Sequence, residues 1–184
     1  MRYPDCKDID SFQSGLEFQD FVCEKLAREG IILQNLSSKK YQFDLGENLQ
    51  GFEIKLDRRC TDTKRLSIEV AEKTQATNPS WVPSGIYRND NAWLYIQGNY
   101  EVLYIFPTVF LRQLYQRGRF KIEELPTIKK FYLPFDKADQ WCAKKLSFGD
   151  THRTDLTSLP DSEIRTQERL SWRRDIGRKA GAQQ

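Results

Sequence analysis

Two hydrophobic periods organise the chain. Phe18, Phe21, Val22 and Leu26 recur at three- and four-residue intervals, which predicts a helix from about Gly15 to Glu29 that ends at Gly30 and lays one stripe on a sheet. Ser14 stands where its N-cap is expected, and residues Met1 to Gln13 read as a polar lead-in. After a short apolar run, Ile31 to Leu36, the period changes to two. Tyr41, Phe43 and Leu45, and then Phe52, Ile54 and Leu56, alternate with polar residues around the turn ENLQG, so Tyr41 to Lys55 reads as a hairpin. In LSIEVAEK, Leu66, Ile68 and Val70 predict a third strand. Residues Thr74 to Asn91 include NPSWVPSG and read as a long connection, which beside a cleft is a natural cover for substrate.

Ala92 to Ile96 and Tyr100 to Phe106 are apolar on both faces, as interior strands are, with Gln97-Gly98-Asn99 as the turn between them. Pro107-Thr108 opens a helix through Tyr115 that ends at Gly118. Further on, Lys129 to Pro134 reads as an edge strand and Lys137 to Leu146 as a short helix. Thr151 to Leu159 looks like a linker, and Ser162 to Arg174 has helical spacing with Arg165, Arg169 and Arg173 along one face. The expected organisation is an α/β domain over 1–150 and a basic, partly helical tail over 151–184.

Composition narrows the chemistry. Hydrophobic residues make up 39% and charged residues 30%, as in a globular chain rather than a disordered one. No run approaches the ~20 apolar residues of a membrane span, and MRYPDCKDID lacks the apolar core of a signal peptide, so a cytoplasmic protein without a membrane partner is expected. Cys6, Cys23, Cys60 and Cys142 are scattered and read as reduced structural thiols. His152 is the single histidine, which argues against His-based metal sites and a Ser-His-Asp triad. Carboxylates and lysine have to carry any chemistry.

Alternation puts such groups together. Glu53 and Lys55 leave the strand opposite to Phe52, Ile54 and Leu56, Asp44 lies between Phe43 and Leu45, and Glu69 projects away from the third strand's core side. Two carboxylates converging across a hairpin suit Mg²⁺, which takes one or two of them with water and phosphate, and Lys55 beside them would stabilise developing charge. In the loop LDRRCTDTKR, Arg58, Arg59 and Lys64 are candidates for phosphate contact, as are Arg165, Arg169 and Arg173 in the tail; Trp81 is a candidate for stacking on a base.

Asp44 followed by Glu53-Ile54-Lys55 resembles the signature of the PD-(D/E)XK nuclease superfamily, with Phe43 in place of the proline. The helix GLEFQDFVCEKLAREG is similar to the first helix of Mrr-like and resolvase-like members; Gln19 holds the place of a Glu that faces the metal in those relatives, while Glu17 reads as solvated. The order EIKLD, SIEVAEK, PSGIYRNDNAWLYI also resembles phage and bacterial members with an IEIK strand, an IE strand and an SGI segment. The resemblance implies a restriction-endonuclease-like core with a central mixed β-sheet flanked by helices. It further implies a Mg²⁺-dependent DNA endonuclease, Mn²⁺ substituting, with RNA as the alternative substrate and a homodimer as a common assembly. Asp44, Glu53 and the carbonyl of Ile54 would hold the ion, Lys55 would position the attacking water, and Glu69 would assist. The alternative function is a nucleic-acid-binding module that keeps the fold and cleaves nothing.

Overall fold

The first helix starts further toward the N-terminus than its apolar stripe predicts. In the computed structural model, which describes residues 6–36 and 38–148 (side chains of 6–12, 39, 43 and 44 excepted), α1 runs Cys6–Arg28. The expected polar lead-in is therefore largely helix. Phe18, Phe21, Val22 and Leu26 are buried as expected, and Gly30, at φ 80°, follows the helix.

The predicted first arm of the hairpin is not a strand. Lys39–Leu45 forms a short helix, α2, closed by Gly46 at φ 93°, whose amide donates to the Gln42 carbonyl. Tyr41 and Leu45, expected on the core side, are 56% and 48% exposed. The physical reason lies in how the next strand is bonded. Strand β1, Phe52–Leu56, lies at the edge of its sheet, and side chains rather than a strand satisfy its outer edge. Asn48 donates to the Phe52 carbonyl (2.7 Å) and accepts from its amide (2.9 Å), while Glu47 accepts from the Ile54 amide (2.9 Å). With those three groups paired, a second arm would have to displace Asn48 and Glu47 to bond this edge.

The chain continues through α3 (Cys60–Thr63), β2 (Arg65–Glu72), the two-residue β3 (Val82–Pro83), a 3-10 turn (Gly85–Tyr87), β4 (Leu94–Gly98) and β5 (Val102–Pro107). It ends, within the described residues, with α4 (Thr108–Gln116), β6 (Ile122–Glu124), β7 (Ile128–Pro134), α5 (Phe135–Trp141) and β8 (Lys144–Ser147). The α/β class holds, but the expected single central sheet is corrected to two. A mixed sheet has the order β1-β4-β5-β8, with β1 and β4 parallel; an antiparallel sheet has the order β3-β2-β7-β6. β4 and β5 are interior strands, as their two apolar faces predict, whereas β7 lies between β2 and β6 and is not an edge. The segment expected as one helix over 137–146 splits into α5 and β8.

The sheets share a core. Leu66, Ile68 and Val70 of β2 with Phe131 and Leu133 of β7 pack with Tyr95, Tyr104 and Phe106 of the mixed sheet and Leu111 and Leu114 of α4. Pairing Glu53 with Tyr95 and Tyr95 with Phe106 puts Glu53 on that same, inward face, whereas Ile54, Ile96 and Ile105 share the other. The alternation in β1 is legible in the sequence, but its polar face is covered rather than solvated. Cys23, Cys60 and Cys142 are free thiols, and among the described residues no helix is long and apolar enough to cross a membrane. Met1–Ser147 is one compact unit; the next, Phe148–Gln184, lies almost wholly outside the described residues, as do the expected linker and tail helix.

Candidate active site

Burial of charge on β1 defines the site. Glu53 is 1% exposed, flanked in sequence by buried Phe52 and Ile54. Lys55 Nζ lies 2.7 Å from Glu53 Oε1 and 4.0 Å from Glu47 Oε1, so two carboxylates converge on one ammonium. On the other side, Arg88 Nη1 lies 3.8 Å from Glu53 Oε2 and Arg88 Nε lies 3.1 Å from Asp90 Oδ2. Arg88 also donates to the Gln42 carbonyl (2.7 Å), tying α2 to this cluster.

Glu69 of β2 faces the cluster from the antiparallel sheet and accepts a hydrogen bond from the buried Ser84 hydroxyl. Gly85 makes this approach possible. A Cβ there would lie 2.4 Å from the Glu69 carbonyl oxygen, and its φ of 51° strains other residues. The SGI segment is thus the support of Glu69.

Electrostatics sets the protonation states. Burial first, and the Glu53 carboxylate second, push Glu47 up to about 7. Burial works against the charge of Lys55, but Glu53, Glu47 and Glu69 together outweigh it and hold the ammonium well above the ordinary lysine value. Burial raises the Tyr95 phenol, against the opposing pull of Lys55, so that it stays protonated. Among the described residues, Glu47, Glu53 and Asp90 pair with two cations, Lys55 and Arg88, and Glu69 adds its charge to the field at Lys55.

The expected members do not all stand on the expected elements. Asp44 lies on α2, not on a strand, so the cross-hairpin geometry that was to aim its carboxylate beside Glu53 is absent. Among the described side chains, a carboxylate that converges on Lys55 with Glu53 is Glu47, which the hydrophobic pattern leaves in the turn. A strand residue sends its amide and carbonyl to the same edge, so the Ile54 carbonyl leaves β1 on the side where Glu47 bonds the Ile54 amide. Gln19 is half-buried on α1; Glu17 is exposed and accepts from Gln13 (3.1 Å). Sequence reasoning also misses Arg88 and Asp90, because a loop between Pro83 and Ala92 carries no periodicity to show where its charges point.

A cleft of about 440 Å³ opens beside Lys55, between the end of β1 and the polar face of the antiparallel sheet. Arg58 and Arg59 line it, as does Glu69; Lys64, exposed at the end of α3, is not part of its lining. Arg165, Arg169 and Arg173 lie outside the described residues. Trp81 sits under two ammonium groups, Lys73 at 4.4 Å and Lys129 at 5.3 Å from its ring centre.

The donor set admits a divalent cation. Both oxygens of the buried Glu53 lack a well-formed hydrogen bond even with Lys55 near, and Glu47 resists ionisation through its burial first and the Glu53 carboxylate second. Among the described residues no group of three or more His, Cys, Asp or Glu side chains forms a metal cluster. Two carboxylates and a carbonyl remain, a set of hard oxygen donors such as Mg²⁺ takes together with water and phosphate. No family model, no curated protein and no solved structure matches this chain.

Proposed function

We propose that the protein is a metal-dependent nuclease of the PD-(D/E)XK kind, hydrolysing phosphodiester bonds with DNA as the expected substrate. The observation that carries this reading is the convergence of buried Glu47 and Glu53 on Lys55 at the mouth of a basic cleft. Glu47, Glu53 and the Ile54 carbonyl would hold Mg²⁺ or Mn²⁺. A divalent ion there supplies Lewis acidity toward a phosphodiester. Lys55, kept protonated by its three carboxylates, donates hydrogen bonds to the phosphoryl oxygens as their charge grows. Glu69, braced by Ser84, adds its negative charge to the field that keeps Lys55 protonated from the other sheet. Arg58 and Arg59 orient the phosphate backbone at the cleft wall.

One observation favours a second reading, a binding module that does not cleave. The Lys55–Glu53 pair at 2.7 Å neutralises itself without any added cation. Incubating supercoiled plasmid, branched DNA and single-stranded RNA with Mg²⁺ or Mn²⁺ separates the two. Cleavage that Lys55→Ala and Glu47→Gln both lose supports the enzyme, and Asp44→Asn in the same assay asks whether the helix residue contributes. Binding without cleavage of any substrate rejects the enzyme in favour of the module.

A further inference from the structure

Five cations, Lys55, Arg58, Arg59, Arg65 and Lys130, line the cleft, against two carboxylates, Asp57 and Glu69. Asp57 is already engaged, accepting from the Ser67 amide (2.9 Å) and from Gln97 (3.3 Å). Lys55 and Lys130 already pair with Glu53 and Glu123, so Arg58, Arg59 and Arg65 are the cations that suit an anionic occupant. What distinguishes this cleft from a plain phosphate site is Arg65. Its guanidinium carbon lies 3.8 Å from the centre of the Tyr132 ring, while the residue itself is exposed. The ring and the cation are in direct contact, and both line the cleft.

Tyr132 is itself held. Its hydroxyl donates to Glu123, whose Oε2 lies 3.5 Å from Lys130 Nζ, so the platform is set before any ligand arrives. Proteins that grip single strands combine a basic groove with flat groups on which unstacked bases lie, and arginine planes serve as well as aromatic rings. The volume of about 440 Å³ falls in the range of small-molecule sites, the size class of one nucleotide. Bases within a duplex are already stacked on each other and present no free face.

We infer that the cleft beside Lys55 binds one unstacked nucleotide of a single-stranded nucleic acid, its base on the Arg65–Tyr132 platform and its phosphates against Arg58 and Arg59. This deepens the nuclease reading by naming its substrate class, and it places the nucleotide next to the carboxylate pair.

The test is fluorescence anisotropy in EDTA, so that binding is read without cleavage, using labelled oligo(dT), oligo(U) and a duplex of equal length. The wild type is expected to bind a single strand at least about tenfold more tightly than the duplex. Arg65→Lys keeps the charge and loses the plane; it should weaken single-strand binding about tenfold and leave duplex binding unchanged. Equal or tighter binding of the duplex, no binding of either, or an Arg65→Lys protein indistinguishable from the wild type would each overturn the inference. The wild-type comparison depends on no variant's folding. Failure here with cleavage intact refutes only the platform, whereas single-strand binding that needs the Arg65 plane but leads to no cleavage refutes only the nuclease reading.

Discussion

β1 and β5 belong to one sheet, yet β1 buries a charge where β5 buries apolar groups alone. Val102, Leu103, Tyr104, Ile105 and Phe106 in β5 are all buried; in β1 a carboxylate, Glu53, is buried between Phe52 and Ile54 and followed by Lys55. Apolar burial in β5 is favourable at about 25 cal/mol per Å². Charge burial in β1 is not, because the desolvation of paired ions cancels much of their attraction. One strand therefore supplies stability, and the other holds groups whose burial costs stability.

The sharpest way to break this contrast is to truncate the apolar strand. Phe106→Ala removes a fully buried ring from the shared core and should destabilise by about 3–5 kcal/mol in urea denaturation, while any Mg²⁺-dependent rise in melting temperature persists. Loss of the metal response alongside stability would show that the two strands are not separable.

Lys55→Ala should act the other way round. Removing a charge-stabilising donor lowers cleavage by about 10²–10³-fold, beyond what the accompanying loss of stability explains, since the loss also leaves buried Glu53 without its nearest cation and is read separately by urea denaturation. A variant that cleaves like the wild type would remove Lys55 from the mechanism.

Glu47→Gln sharpens the comparison through pH. A carboxyl held near 7 in the native state keeps its proton after the unfolded chain has lost its own, so its favourable contribution is present at acid pH and is lost as pH rises from about 4.5 to about 7. Without metal, Glu47→Gln should therefore match the wild type at pH 4.5 and be more stable at pH 8, on the order of 1–3 kcal/mol. The same titration predicts that Mg²⁺ stabilises the wild type at pH 8 and progressively less below pH 7, as protons compete for Glu47. Thermal melts across this range at fixed Mg²⁺ check both signs.

Ser84→Ala should have the smallest effect. It removes the hydroxyl that donates to Glu69, a loss of about 1 kcal/mol, and cleavage should fall by tenfold or less. A larger fall would promote Glu69 from support of Lys55 to direct participation.

Much of the fold is readable in the chain. Side chains repeat every second residue in a strand, so FEIKL already sets Glu53 and Lys55 apart from Phe52 and Ile54, and LSIEV does the same for Glu69. The stripe of α1, the interior strands β4 and β5, and α4 arise from local periodicity in the same way. Periodicity fails where a tertiary partner is the deciding term. Tyr41, Phe43 and Leu45 alternate like a strand but form a helix, because Asn48 and Glu47 satisfy the edge that a strand would have used.

For the same reason Glu47 stays hidden. It sits in a turn by sequence and becomes a buried carboxylate only once its oxygen bonds the Ile54 amide and the second sheet closes over β1. Sequence alone determined which residues share a face, since that is a property of backbone geometry over a few residues. Which face is dry, which carboxylate meets Glu53 and which cations reach them were decided by contacts between segments far apart in the chain, as when Arg88 meets Glu53 and Ser84 meets Glu69. Burial and Coulomb energies depend on those distances, and no local pattern encodes them.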